Sequence, residues 1–301
     1  MTKTSLKLPS FAKINWFLRI LGKRPDGYHE VITALQTVSL HDFLVFELRE
    51  DGNINLVCDD PEIPVDDNNL IVKAARALQA HLNSKLGADI KLTKRIPTQA
   101  GLGGASSNAA VTLTSLNVLW DGRTTARNFM RISSELGSDV PFFLMGGEVI
   151  ARGTGTDFSW PPERPKQHLI IVTPNAKVST ANAYAALNAP SLTTSDAASI
   201  LSSSLADLFS AGSGQVPLHN DFEGVIFELE PEIKRAKEAL WNAGARGALL
   251  AGSGSSVFGI FNDKAARDQA LGNLRSEAGW RVFSCHTLSR SEYCQATDTG
   301  A

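Results

Sequence analysis

The stretch Ile96-Pro97-Thr98-Gln99-Ala100-Gly101-Leu102-Gly103-Gly104-Ala105-Ser106-Ser107-Asn108-Ala109-Ala110 decides how this chain is read. Three glycines stand together, and an apolar run follows them. Ala109, Leu113, Leu116 and Trp120 recur at helical spacing, so an amphipathic helix is expected from about Ser107, capped by Ser106 or Ser107. A glycine-rich loop that opens a helix bares backbone N–H groups and aims the positive end of the helix dipole at whatever lies there, an arrangement suited to phosphate. Without Cβ atoms the backbone can come close to the anion. Two common phosphate loops are excluded. No lysine follows Gly104, and Ser106 stands where a dinucleotide fingerprint needs its third glycine. The plain alternative is a glycine turn ahead of a buried helix.

On the N-terminal side of this loop, Asp89 to Lys94 reads as a strand leading into it, and Asn69 to Leu82 as a helix with Leu70, Ala74, Ala77 and Leu78 on one face. Leu6 to Leu21 is strand-like and ends in the turn Gly22-Lys23-Arg24-Pro25-Asp26-Gly27. Phe43 to Leu48, the turn Asp51-Gly52-Asn53 and Ile54 to Val57 are expected to form a hairpin. On the C-terminal side, Thr125 to Leu136 is expected as a helix stopped by Gly137, and Pro141 to Ile150 as a strand region. The proline-rich run Trp160 to Pro165 marks a boundary between domains of residues 1–160 and 161–301. Beyond it are expected a strand at His168 to Val172, a short helix within Ser191 to Gly214 and a helix at Glu232 to Ala243. Strands at Ala248 to Leu250 and Val257 to Phe261 flank a second glycine loop, Gly252-Ser253-Gly254. A helix at Ala265 to Glu277, a strand at Trp280 to Cys285 and a disordered tail after Tyr293 complete the expectation.

With 301 residues the chain is long enough for two domains. Its composition, 43% hydrophobic and 20% charged, is that of a soluble globular protein, and a formal net charge of −2 offers no basic field for nucleic acid. Lys91, Lys94 and Arg95 read as a solvated strand edge. Cys58, Cys285 and Cys294 lie far apart, which argues against a disulfide framework or a zinc cluster and for a reducing compartment, the cytoplasm. No apolar stretch is long enough to span a bilayer. Oligomeric state is left open.

Four segments in order resemble the GHMP kinase superfamily: Pro9 to Val31 (PSFAKINWFLRILGKRPDGYHEV), the glycine-rich loop, Leu136 to Leu144 (LGSDVPFFL) and Leu249 to Phe261 (LLAGSGSSVFGIF). The resemblance runs over nearly the whole chain. It implies an α+β fold in two domains, the first like ribosomal protein S5 domain 2 and the second ferredoxin-like. It implies a kinase using ATP and Mg²⁺, with Lys13 and Asp139 as the catalytic pair. Pro97, Thr98, Gln99, Ala100, Gly101, Leu102, Gly103, Gly104, Ala105, Ser106 and Ser107 would wrap the triphosphate, with Asn69 and Lys94 near the adenosine. Gln99 and Ala105 depart from the family's usual small or glycine residues. The Gly-Tyr-His turn singles out the branch that phosphorylates the 2-hydroxyl of a cytidylated methylerythritol in the non-mevalonate isoprenoid route. There Tyr28, His29 and Tyr184 would hold the cytosine, Asn15 and Thr180 the erythritol, and Gly252, Ser253 and Gly254 the substrate phosphates. The implied partner is this small molecule, with neither nucleic acid nor membrane. A mevalonate, homoserine or sugar kinase, or a non-catalytic nucleotide-binding relative, is the rival reading.

Overall fold

The computed structural model describes residues 4–190 and 218–299. Helices and strands are mixed in an α+β arrangement. Among the described residues, one sheet holds seven strands. Its centre is a long antiparallel pair, β1 (Ser5–Lys23) and β2 (His29–Arg49), joined by the Arg24–Gly27 turn. β2 is shared by two further neighbours: its first half pairs with β5 (Glu148–Gly153), its second half with β4 (Gly87–Thr93). β3 (Ile54–Cys58) lies outside β4, β6 (Asp157–Ser159) outside β5, and the two-residue β8 (His219–Asn220) adds to the free side of β1.

The expected hairpin between Phe43–Leu48 and Ile54–Val57 does not form. β4 comes between them, antiparallel to β2 and parallel to β3. A parallel pair needs a crossover, and α1 (Leu70–Leu82) supplies it. Period-two alternation identifies the strands without saying which one pairs with which. The burial of α1 also differs in detail from the expected face: Ile71, Val72, Ala74, Ala75 and Leu78 are the buried set.

α2 (Gly104–Leu119) begins three residues before the expected Ser107, and its N-cap is Gly103 in the left-handed region, with no side-chain cap. Its expected amphipathic character is absent: eleven of its sixteen residues are buried, because α1, α3 (Ala126–Leu136) and α4 (Val140–Phe143) crowd it against the sheet. The expected strand region Pro141–Ile150 divides into α4 and the start of β5. A single proline-led turn precedes the Gly146-Gly147 bend, so strand pairing starts only at Glu148.

The second sheet is four-stranded and antiparallel, in the order β11 (Arg281–His286), β7 (His168–Thr173), β10 (Val257–Phe261), β9 (Gly247–Leu250). α7 (Pro231–Asn242) and α8 (Lys264–Leu274) cover one face, packing Ile233, Leu240 and Leu274 onto Ile170, Val172, Val257 and Phe261. α5 (Thr180–Leu187) and α6 (Phe222–Leu229) complete this layer. Residues of the other face, Leu169, Ile171, Phe258 and Ile260, pack against Ile14, Trp16, Phe17 and Ile32 of the first sheet. The segment after Tyr293, expected to be disordered, continues as helix: α9 spans Arg290–Ala296, opened by a Ser289/Glu292 capping box, with Tyr293 buried and donating its hydroxyl to the Phe143 carbonyl. The short helix expected within Ser191 to Gly214 lies outside the described residues.

Candidate functional site

An open cleft of about 1440 Å³ runs between the glycine-rich loop, the Tyr28 turn, α5 and the Gly252-Ser253 loop. Nearly every residue expected at the site lines it. The exceptions are Ser107 and Gly254. Ser107 is fully buried beneath the helix start, where its Oγ accepts from Ser10 Oγ at 2.8 Å, so it neither caps the helix nor faces the cleft. Gly254 turns toward Leu250 and Ile226.

Lys13 and Asn15 sit two residues apart on β1, so strand alternation puts both side chains on one face while Ile14 enters the core. Lys13 Nζ donates to Asn15 Oδ1 at 2.9 Å, and Asn15 Nδ2 donates to Thr33 Oγ1 at 2.8 Å. Thr33 Oγ1 in turn donates to the Phe17 carbonyl at 2.7 Å. This chain fixes the lysine. Its ammonium lies 3.6 Å from Asp139 Oδ2, and only the aspartate is substantially exposed: the side chains are 6% and 37% accessible. Asp139 stands at the entry of α4 with its carboxylate unused for capping, free to face the cleft. The pair sets a fixed positive charge beside a carboxylate that the cleft can reach, the two kinds of group that proton abstraction and charge stabilisation call for.

Packing is a second demand on the glycines of this loop. A Cβ on Gly101 (φ +73°) would lie 1.9 Å from the Ala251 carbonyl oxygen, and one on Gly103 (φ +69°) would lie 2.9 Å from Phe143 Cζ and 3.0 Å from Lys13 Cγ. Both positions press the loop onto protein atoms, so a side chain at either would push the loop away from them. Gln99 also has positive φ (+51°), so glycine would suit the position better, and the strain falls in the loop itself. Two main-chain bonds anchor the loop: Lys13 N donates to Leu102 O at 2.9 Å, and Ser256 N to Ala100 O at 3.2 Å.

Lys94 is not the solvated edge residue it seemed. Its side chain is 7% exposed; the ammonium pairs at 2.8 Å with the fully buried Asp42 and also donates to the Ile96 carbonyl. Asp42 further accepts from the main-chain N–H groups of Arg95 and Ile96, both at 2.7 Å, and from Asn108 Nδ2 at 3.2 Å. The pair therefore braces the glycine-rich loop from behind, and Lys94 is among the residues that line the cleft. Asn69 caps α1, accepting from Ile71 N at 2.9 Å.

At the other end of the cleft, the His29 and Tyr184 rings stack at 4.5 Å with 25° between planes, and Tyr28 is 67% exposed. Asp26 Oδ1 holds Tyr28 N at 3.1 Å and Arg24 ties Asp26 to Glu30, so the turn carrying both rings is braced. Partial burial, helped by the charge of Lys23, lowers the His29 pKa below its usual value. Burial and the charge of Asp139 push the Tyr184 phenol up to about 12. Thr180 Oγ1 and Ser253 Oγ lie 3.1 Å apart and bridge α5 to the second glycine loop. Sequence reading missed Thr154, Gly155 and Thr156 at the β5–β6 hairpin tip, which also line the cleft. Only the pairing of Gly153 with Val31 brings them beside His29, and no local signal marks that.

Residues 69–147 match the GHMP kinases N terminal domain, and residues 200–279 the GHMP kinases C terminal domain. A 4-diphosphocytidyl-2-C-methyl-D-erythritol kinase of Gloeobacter violaceus is 37% identical over 289 residues, 94% of this chain and 94% of that protein. The chain belongs to the GHMP kinase family. A second relative of the same name, from Pelotomaculum thermopropionicum, is 40% identical over 88% of this GHMP kinase and 92% of its own length. A crystal structure of 4-(cytidine 5'-diphospho)-2C-methyl-D-erythritol kinase superposes with a TM-score of 0.77 at 30% identity, covering 94% of this chain and 99% of that one. Homoserine kinase from Cytophaga hutchinsonii, TM-score 0.72 at 19% identity over 96% of each chain, shares the fold. As a GHMP kinase the protein is an ATP-dependent small-molecule kinase. No helix among the described residues is long and apolar enough to cross a membrane.

Proposed function

We propose that the enzyme transfers the γ-phosphoryl group of ATP to the 2-hydroxyl of 4-diphosphocytidyl-2-C-methyl-D-erythritol, in the non-mevalonate isoprenoid route. One observation carries this reading. The stacked His29–Tyr184 pair and the Lys13–Asp139 pair line one cleft, so a substrate whose pyrimidine is held at one end would extend its alcohol toward the Lys13–Asp139 pair and the glycine-rich loop. Tyr28 and Tyr184 offer faces for stacking, and His29 offers a ring nitrogen to the base edge. The names of the relatives agree with it.

In this reading Asp139 takes the proton of the 2-hydroxyl as its oxygen bonds to the γ-phosphorus, and the bond to the bridging oxygen breaks to leave ADP. Lys13 offsets charge on the attacking oxygen and the transferring group, and the loop N–H groups hold the phosphates. Asn15 and Thr180 position the erythritol, and Gly252 and Ser253 flank its phosphates. The phosphates of ATP would carry a magnesium ion, whose charge the loop and its neighbours would share. No group of three His, Cys, Asp or Glu that could hold a metal occurs among the described residues. Ser106 and Asp139 are cleft side chains that would add oxygens to the ion, and the ion would neutralise charge on the transferring phosphate. Residues 1–160 and 161–301 are assigned as the two domains that meet at this cleft.

The test is ADP release measured with the cytidylated alcohol, its uridine analogue, mevalonate and homoserine. Strong preference for the cytidylated form is expected, because uracil reverses the donor and acceptor at the base edge. Equal use of the uridine form would remove the base-reading role, and preference for mevalonate or homoserine would overturn the substrate.

A further inference from the structure

β8 is only two residues long, yet Asn220 within it is 5% exposed and makes three hydrogen bonds through its amide. Nδ2 donates to the carbonyl of Leu250 at 2.9 Å and to that of Gly252 at 2.7 Å. Oδ1 accepts from Phe222 N at 3.0 Å. Asn220 does not line the cleft.

The two backbones it holds lead to opposite ends of the site. Gly252 stands against the catalytic pair: a Cβ there would lie 3.1 Å from Lys13 Nζ and 3.0 Å from the Gly101 carbonyl oxygen. Phe222 meets the Tyr184 ring edge-on, at 4.9 Å and 88°, and Tyr184 stacks on His29. One buried amide thus ties the loop beside the Lys13 ammonium to the residue that buttresses the aromatic shelf. We infer that Asn220 is a positioning residue that sets the distance between the base-binding shelf and the phosphoryl-transfer centre. The inference rests on the reading of the site given above. Such a residue matters because a substrate held at both ends reacts only when its hydroxyl falls in line, and misplacement by about 1 Å can cost on the order of 10²-fold.

Two substitutions separate the tethers. Asn220→Asp keeps an acceptor for Phe222 N but sets an oxygen against two carbonyl oxygens, releasing Gly252. Phe222→Leu keeps the Gly252 tether and loosens the shelf. In steady-state kinetics with the cytidylated alcohol, Asn220→Asp should lower kcat by about 10- to 100-fold with KM changed less than about 3-fold. Phe222→Leu should do the reverse, raising KM with kcat changed less than about 3-fold. Thermal melting accompanies both. If Asn220→Asp does not fold, Asn220→Ser, whose hydroxyl can reach one carbonyl only, takes its place with the same split expected. A merely structural asparagine would lower melting temperature without this split, so native kcat in Asn220→Asp, or equal shifts of kcat and KM in both variants, would overturn the inference. A wild-type enzyme inactive on the cytidylated alcohol would instead overturn the substrate assignment, and the inference with it.

Discussion

At the residue scale, the decisive feature is the asymmetry of the Lys13–Asp139 pair. The lysine is buried and held by Asn15, while the aspartate keeps contact with the cleft. Asp139→Asn removes the proton acceptor and leaves a side chain of equal size. Turnover should fall by about 10²–10⁴-fold while ATP affinity and melting temperature stay near native values, as kinetics, calorimetric titration and thermal melting would show. If turnover survives at saturating substrate, the base lies elsewhere. His29→Ala acts at the other end. Losing one buried base-edge hydrogen bond costs about 1–3 kcal/mol. This corresponds to roughly a 5- to 150-fold loss in kcat/KM for the cytidylated alcohol. The loss should enter through KM, with the KM for ATP unchanged.

At the scale of elements, α9 closes the active region from the C-terminal end of the chain. Tyr293 is buried against Gly146, and its hydroxyl donates to the last residue of α4, the short helix that Asp139 opens. Phe143 in turn packs under Gly103. Tyr293→Phe keeps the ring and strands the Phe143 carbonyl, so a loss of about 1–3 kcal/mol is expected in chemical denaturation. An unchanged denaturation midpoint would mean that water replaces the bond. The β1–β2 pair works in the same long-range way. It carries Lys13 and Asn15 at its centre and His29 at its turn, so one hairpin supplies both ends of the cleft.

At the scale of the whole molecule, pH should act through two partly buried histidines. Burial lowers the pKa of His29, aided by Lys23, and burial also lowers that of His286, whose ring lies 3.2 Å from Ser39 Oγ. The folded protein therefore binds fewer protons than the unfolded chain just below pH 6.5, the ordinary histidine value, and folding stability falls as pH is lowered through that range. Carboxylates held low by arginine hydrogen bonds, such as Asp26 and Glu232, lose their contribution only near and below their ordinary range of about 4. The melting temperature should accordingly drop between pH 7.5 and 5.5, and His286→Asn should flatten that drop. A profile that stays level in the native protein would exclude the effect.

The chemistry-bearing segments and most elements can be read along the chain without the fold. The glycine-rich loop, the Gly-Tyr-His turn and the aspartate before Pro141 are local patterns, and local backbone physics makes such patterns readable: glycine density, turn formers and side-chain periodicity. The strands β1, β4, β7 and β10 and the helices α1, α3 and α7 were legible for the same reason. What these pieces meet is set by long-range packing. β4 inserts between β2 and β3 because a crossover helix returns it there. Ser107 yields the cap to Gly103 because the helix starts earlier, and α2 loses its polar face to three packed helices. Lys94 leaves solvent because Asp42, 52 residues away, needs its charge. Asn220 reads as an ordinary polar residue until β8, β9 and α6 converge on it. Contacts between residues far apart in the chain leave no period in the sequence, because the free energy that selects them belongs to the packed whole.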